Sequence, residues 1–165
     1  MEDSFTGIID VGSKPIIARE AVATGLLLLS SESLDIVANG RSIKGDVREA
    51  STIAAIQAVK ETPRILPHCH PIPIEGCTVD WSIEKEGLRC TVSVRTHWTT
   101  GVEMEALCGV NAGLLCAWDM LKSIEKDSEG QYPSSQIDGV RVLSKSKGDP
   151  HAVSYTHLRA HETLL

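Results

Sequence analysis

The chain has no long apolar run. Its longest, Gly25 to Leu29, falls far short of the roughly 20 apolar residues that cross a bilayer, which excludes a helical membrane span. No charged segment followed by an apolar stretch stands at the N-terminus, so no secretion signal is visible. Basic residues are not in excess either. Sixteen Lys and Arg face 22 Asp and Glu, and the net charge of -6 argues against a nucleic-acid surface. A local basic pocket for a small anion is still allowed. The five cysteines (Cys69, Cys77, Cys90, Cys108 and Cys116) are odd in number and lack CxxC spacing. That pattern argues against a disulfide framework or a four-cysteine zinc site, and for reduced thiols in a soluble cytoplasmic protein. Internal repeats and low-complexity stretches are absent too. A chain of 165 residues, 42% hydrophobic, can build the core of one domain, taken here as residues 1–150.

The final residues are set aside. From Val153 onward the chain resembles the translation of a transposon-type sequencing adapter in one reading frame. Residues 151–165 are therefore expected to be a non-native tail, with the native C-terminus lost beyond about Asp149. His151, His157 and His161 are not counted as metal ligands for the same reason.

What remains alternates helical and extended patterns. Ile8 to Val11 reads as a short extended lead-in. Pro15 followed by Arg19-Glu20-Ala21 predicts a helical turn ending near Gly25, and Leu26 to Leu29 a short strand. Ser33 to Asn39 predicts a short helix stopped by Gly40. Asp46 to Lys60 predicts a helix capped by Asp46 with Glu49 three residues on, and ended by Pro63. Val47, Ala50, Ile53, Ala54 and Ile56 would form its apolar face. Ile65 to Pro73 carries prolines that suit an edge or irregular strand. Val79 to Glu84 and Leu88 to Thr96 flank Glu86-Gly87 as a hairpin, and Leu88, Cys90, Val92 and Val94 alternate with polar residues. A long helix over Thr100 to Lys122, a polar loop from Asp127 to Ser135, and a strand over Ile137 to Leu143 complete the pattern. The expected fold is α+β and ferredoxin-like, an antiparallel sheet with two main helices on one face.

The long helix carries the most chemistry. Glu103 and Glu105 stand in its first turns and suit the helix dipole, whereas Asp119 near its end does not. Asp119 lies three residues before Lys122, so the two share a face, as a proton-transferring pair needs. Glu105 and Asp119 also share a face, but roughly 21 Å apart along the axis. One straight helix cannot bring both to one small substrate, which favours a site shared between subunits. Met104, Leu107, Val110, Leu114, Trp118 and Leu121 are spaced as core residues, and Cys77, Cys90, Cys108 and Cys116 read as small apolar packers. Lys145 and Lys147 read as a solvated basic surface.

Elsewhere, Lys44 precedes the N-terminus of the second main helix, a position suited to an anion. The glycine spacing of a P-loop is missing, and on these residues alone Asp46 is a plain cap and Lys44 a surface charge. His68 and His70 point to one face of an extended segment and Cys69 to the other. A metal corner would need further ligands that the chain does not offer, so structural or substrate-contacting histidines are the better reading. Cys69 lacks the partner set of a nucleophile.

Together these pieces resemble cyclic pyranopterin monophosphate synthase, the C protein of molybdenum cofactor biosynthesis. The matching residues are Ile9-Asp10-Val11 with Lys14, Arg19-Glu20-Ala21, Lys44-Gly45-Asp46-Val47, Ile53 to Lys60, and Cys69-His70-Pro71. Thr100-Gly-Val-Glu-Met-Glu-Ala-Leu107 and Asp119-Met120 with Lys122 complete them, so the match covers about residues 8 to 146. The resemblance implies conversion of 3′,8-cyclo-7,8-dihydroguanosine triphosphate to cyclic pyranopterin monophosphate with release of diphosphate. It implies a homohexamer, a trimer of dimers with sites at subunit interfaces, and no cofactor, since the reaction neither adds nor removes electrons. It also implies Asp119, Lys122 and Lys44 as catalytic residues. His68, Cys69, His70, Met104 and Glu105 would contact substrate, and Arg19 and Lys60 its phosphates. The chain departs from the family in His68, commonly leucine, and in Trp98-Thr99-Thr100-Gly101, where Gly-Lys-Thr-Gly is usual. It departs again in Lys60-Glu61-Thr62, where Lys-Arg-Thr is usual. A non-catalytic homologue that binds a pterin phosphate or nucleotide is the alternative.

Overall fold

A computed structural model describes residues 6–40 and 42–148. The expected tail, residues 151–165 with its three histidines, lies outside them. Four strands and three helices follow in the order β1 (Ile17–Leu28), α1 (Ser31–Asn39), α2 (Val47–Ile65), β2 (Gly76–Ile83), β3 (Gly87–Trp98), α3 (Glu103–Glu125) and β4 (Gln136–Lys147). The sheet order is β2-β3-β1-β4 with every pairing antiparallel. This is the expected ferredoxin-like α+β arrangement, with α2 and α3 as the two main helices.

The largest departure is β1. The helical turn expected between Pro15 and Gly25 is instead part of a 12-residue central strand. Its neighbours on both sides, β3 and β4, bond its backbone along its length, and Ala21, Ala23 and Leu27 go into the core. Tertiary pairing outweighs the local helix propensity of Arg19-Glu20-Ala21. Ile65 to Pro73 departs the other way, since no strand forms before Gly76. Pro67, Pro71 and Pro73 remove the amides that a ladder would need.

Helix α1 starts at an N-cap Ser30, whose hydroxyl accepts from the Ser33 amide, and stops at Gly40 as expected. Asp46 caps α2, accepting from the Glu49 amide at 3.0 Å. Pro63 does not end this helix, which runs on to Ile65. The Val59 carbonyl that loses an amide to Pro63 accepts the Thr62 hydroxyl instead, at 3.1 Å.

The apolar face expected for α2 is largely turned outward. Val47 is buried, but Ile53 is 63% exposed, and the buried stripe is Ser51, Ala55, Ala58, Val59 and Thr62. Close packing against α3 selects small side chains. A Cβ placed on Gly109 would sit 2.8 Å from Val59 Cγ2, so only glycine lets the two helices approach this far. On α3 likewise, Val110, Leu114 and Leu121 are buried as expected, while Met104 is 41% exposed and Trp118 only partly buried. Ala106, Gly109, Gly113 and Ala117 fill the seam. The alternation in β3 holds, and Leu88, Cys90, Val92 and Val94 are all buried. Cys77 and Cys116 pack against that core, and all five cysteines are unpaired.

Candidate functional site

The sequence-predicted residues fall into two clusters at opposite ends of α3. At its C-terminal end Asp119 takes two lysines at once. Lys122 Nζ lies 2.7 Å from Oδ1, and Lys44 Nζ lies 3.0 Å from Oδ2. Lys44 also donates to the Asp119 main-chain carbonyl at 3.1 Å. The lysine reaches this far because residues 42–45 form a closed turn. The Ser42 hydroxyl accepts from the Lys44 amide and donates to the Gly45 carbonyl, and Gly45 takes φ 108, a conformation that other residues resist. Lys44 is therefore more than the surface charge that its tetrapeptide suggests.

The two cations explain why an acid is tolerated near a helix C-terminus. Hydrogen bonds from Lys122 and then Lys44 hold the Asp119 carboxyl below its ordinary value, and Asp119 holds the Lys122 ammonium above its own. All three side chains are partly open to solvent. At rest the cluster is a carboxylate between two ammonium groups, an acceptor beside ready donors.

At the N-terminal end a cavity of about 440 Å³ is lined by His68, Cys69, His70, Thr100, Met104 and Glu105, with Ile9, Val11 and Lys14 from the lead-in segment. His70 Nε2 lies 2.6 Å from the Ile9 carbonyl. A carbonyl only accepts, so Nε2 is the donor in this contact. Glu105 is 3% exposed, and burial, joined by the charge of Glu103, raises its carboxyl above the usual range. Burial first, then Glu105 and Cys108, raises the Cys69 thiol, which keeps it protonated and a poor nucleophile. Among the described residues no group of three or more His, Cys, Asp or Glu is placed to hold a metal ion.

Arg19 stands beside this second cluster on β1. Its Nη2 donates to the Thr99 carbonyl at 3.3 Å, and its buried Nε has no hydrogen-bond partner among the described residues. Lys60 joins neither cluster. It lines a separate hollow on the outer face of α2 with Ile53, Ile56 and Gln57. Sequence reasoning missed two polar contacts and one aromatic contact. Lys145 forms an ion pair with Glu103 and is no free surface cation. The buried Glu125 accepts from the Ser30 amide and hydroxyl and from Ser135. Tyr132 stands edge-on to Trp118.

Among the described residues no helix is long and apolar enough to cross a membrane. The MoaC family profile matches residues 8–148. A chain from Aeropyrum pernix, named probable cyclic pyranopterin monophosphate synthase, is 48% identical over 145 residues, 88% of this chain and 99% of that one. Another of the same name from Thermococcus kodakarensis is 44% identical over 149 residues, 90% and 96% of the two chains. One from Methanothermobacter thermautotrophicus, named probable cyclic pyranopterin monophosphate synthase accessory protein, is 44% identical over 140 residues, 85% and 88% of the two.

Proposed function

The chain belongs to the MoaC family, and from that premise we propose that it is a lyase of molybdenum cofactor biosynthesis. It converts (8S)-3′,8-cyclo-7,8-dihydroguanosine 5′-triphosphate to cyclic pyranopterin monophosphate and releases diphosphate. The observation that carries this reading is the contact of Lys44, Asp119 and Lys122 on one helix end. A ring rearrangement needs a proton acceptor and a donor at neutral pH. Asp119, held as the carboxylate, accepts; Lys122, held as the ammonium, donates. Lys44 fixes the second Asp119 oxygen and adds positive charge for the triphosphate.

The cavity at the other end of α3 supplies the substrate-binding half, with His68, Cys69, His70, Met104 and Glu105 on its wall. Arg19, with an unused Nε, binds phosphate oxygens; Lys60, on the outer face of α2, would reach them only at a site in another chain. No redox cofactor is needed, since substrate and product differ by no electrons. The two halves lie too far apart on one helix to share a small substrate, so the site forms between chains; the family resemblance implies a homohexamer, a trimer of dimers, as the assembly. Residues 1–150 act as one unit, and the five unpaired cysteines support a cytoplasmic location.

The test is incubation with the cyclic triphosphate, then oxidation and fluorescence detection of the pterin. Product and diphosphate should form in equal amounts, and Asp119→Asn and Lys122→Ala should abolish both while light scattering still gives the mass of six chains. Mixing Asp119→Asn with Glu105→Ala subunits should restore part of the turnover. Binding of the triphosphate without any product would overturn the catalytic reading.

A further inference from the structure

We propose that Tyr132 is a positioning residue that holds Lys122 against Asp119. The proposal rests on the reading of Asp119 and Lys122 as the proton-transferring pair. Trp118, Lys122 and Lys126 follow at four-residue spacing, so they form one ridge along the end of α3 and its C-cap. The Tyr132 ring meets both ends of that ridge. It stands edge-on to Trp118, with centroids 5.5 Å apart and planes at 86°, and its centroid lies 5.9 Å from Lys126 Nζ. A ring that meets both ends of the ridge flanks its middle, Lys122, whose side chain is still partly open to solvent.

The ring is delivered by a built turn. Asp127 Oδ1 accepts from the amides of Glu129 at 2.9 Å and Gln131 at 2.8 Å. The Asp127 amide donates to the Gln131 carbonyl at 2.9 Å, and the Gly130 amide to the Asp127 carbonyl at 3.1 Å. A plain linker between α3 and β4 would need none of these bonds. They fix the backbone immediately before Tyr132 and so fix where the ring stands.

Lysine carries its ammonium on a flexible four-carbon stem, and an unrestrained Lys122 would spread over many rotamers. Tyr132 on the flank of the ridge removes part of that freedom and favours the rotamers that keep the ammonium on Asp119. The groups facing Lys122 are Asp119 and Lys126 on its own helix, Lys44 across the Asp119 carboxylate, and Tyr132 from the loop. The shift of Lys122 agrees: Asp119 raises it most, and the Tyr132 phenol adds to the same direction.

Tyr132→Phe and Tyr132→Leu separate the ring from mere packing, because both keep an apolar contact with Trp118. Phe should leave kcat within about twofold, and Leu should lower it about tenfold at nearly constant KM. Lysine titration followed by NMR on protein labelled at lysine Cε gives a readout that needs no turnover. Lys122 should titrate above the ordinary lysine value in the wild type and in Tyr132→Phe, and return toward it in Tyr132→Leu. If Tyr132→Leu does not fold, Asp127→Ala, which releases the turn and keeps the ring, is read in its place with the same two expectations. Unchanged kcat and an unchanged Lys122 titration in the folded variant overturn the proposal, as does an equal loss in Phe and Leu. A wild type that makes no pterin defeats the proposed function alone, and the titration then still decides the role of Tyr132.

Discussion

Lys44 reaches Asp119 twice, through the carboxylate at 3.0 Å and through the main-chain carbonyl at 3.1 Å. The second bond ties the lysine to the end of α3 whether or not the carboxylate is free. Rotation of the Asp119 side chain would therefore not by itself release Lys44.

The first prediction concerns this group. Asp119→Asn should lower turnover by roughly 10²–10⁴, the usual range for loss of a general acid or base, with the melting temperature little changed. The native Asp119 value lies below 3.8 and the native Lys122 value above 10.5. The stabilising interaction is thus present above the ordinary carboxylate value and is lost as pH falls through the native one. On the alkaline side it is fully present below the ordinary lysine value and is lost as pH rises through the native one. A kcat/KM profile should show no limb from this pair near neutrality. A limb near pH 7 that vanishes in Asp119→Asn would mean that the resting pair is not ionised as described.

Glu105 should behave in the opposite sense. Burial raises its native value above the unfolded one, so the stability it offers is complete below 4.5 and is lost as pH rises through the native value. At neutral pH its buried charge is a cost. Glu105→Gln should raise the melting temperature by about 2–4 °C, on the order of 1 kcal/mol for a chain of this size, and should reduce turnover. The gain should shrink in acid. Thermal scans at neutral and acid pH check both points, and a lower melting temperature at neutral pH would count against a costly charge.

Glu125 is buried but well served. Burial pushes its carboxyl up, and donors from Ser33, Ser30 and Ser135 outweigh that and hold it low. Its contribution is present above 4.5 and falls away as pH drops through the native value. Glu125→Ala should cost about 2–4 kcal/mol, since it leaves buried donors unpaired. Urea melts should show that difference at neutral pH and a smaller one in acid. Equal losses at both would place the effect in packing.

Gly109 sits where α2 and α3 come closest. Gly109→Ala places a methyl 2.8 Å from Val59 Cγ2 and 3.1 Å from Val92 Cγ1. Overpacking of about 1–3 kcal/mol should outweigh the roughly 1 kcal/mol that alanine adds in helix propensity. Gly113→Ala, whose nearest contact is 3.2 Å, should cost less. Denaturant midpoints of the two variants give the order.

The fold was legible where one signal dominated. The Asp46 cap, the Gly40 stop and the alternation in β3 each name a local structure through a local cause. Only the end of β1, Leu26 to Leu28, was legible as strand; its first part was not, because Arg19-Glu20-Ala21 favours a helix and only the neighbouring strands make it extended. The buried face of α2 was hidden for a related reason. Isoleucine looks like core, yet the closeness of α3 selects the smaller Ser51, Ala55, Ala58, Val59 and Thr62. At the site, the Asp119 and Lys122 pair followed from helical spacing, while Lys44 needed a fold to bring residues 75 positions apart together. Glu125 and Tyr132 carried no pattern at all, since Glu125 is bonded by Ser30 and Ser135 from outside its helix and Tyr132 folds back from a loop onto Trp118 and Lys126.

Helix α3 is 23 residues long and carries Glu105 and Asp119 on one rod. Its length and its phase are then part of the site. One residue inserted between them would turn one end by about 100° against the other and lengthen the rod by about 1.5 Å. Side chains at both ends could stay unchanged, and neither half would face its counterpart. An insertion within α3 should therefore cost turnover even where every side chain is kept.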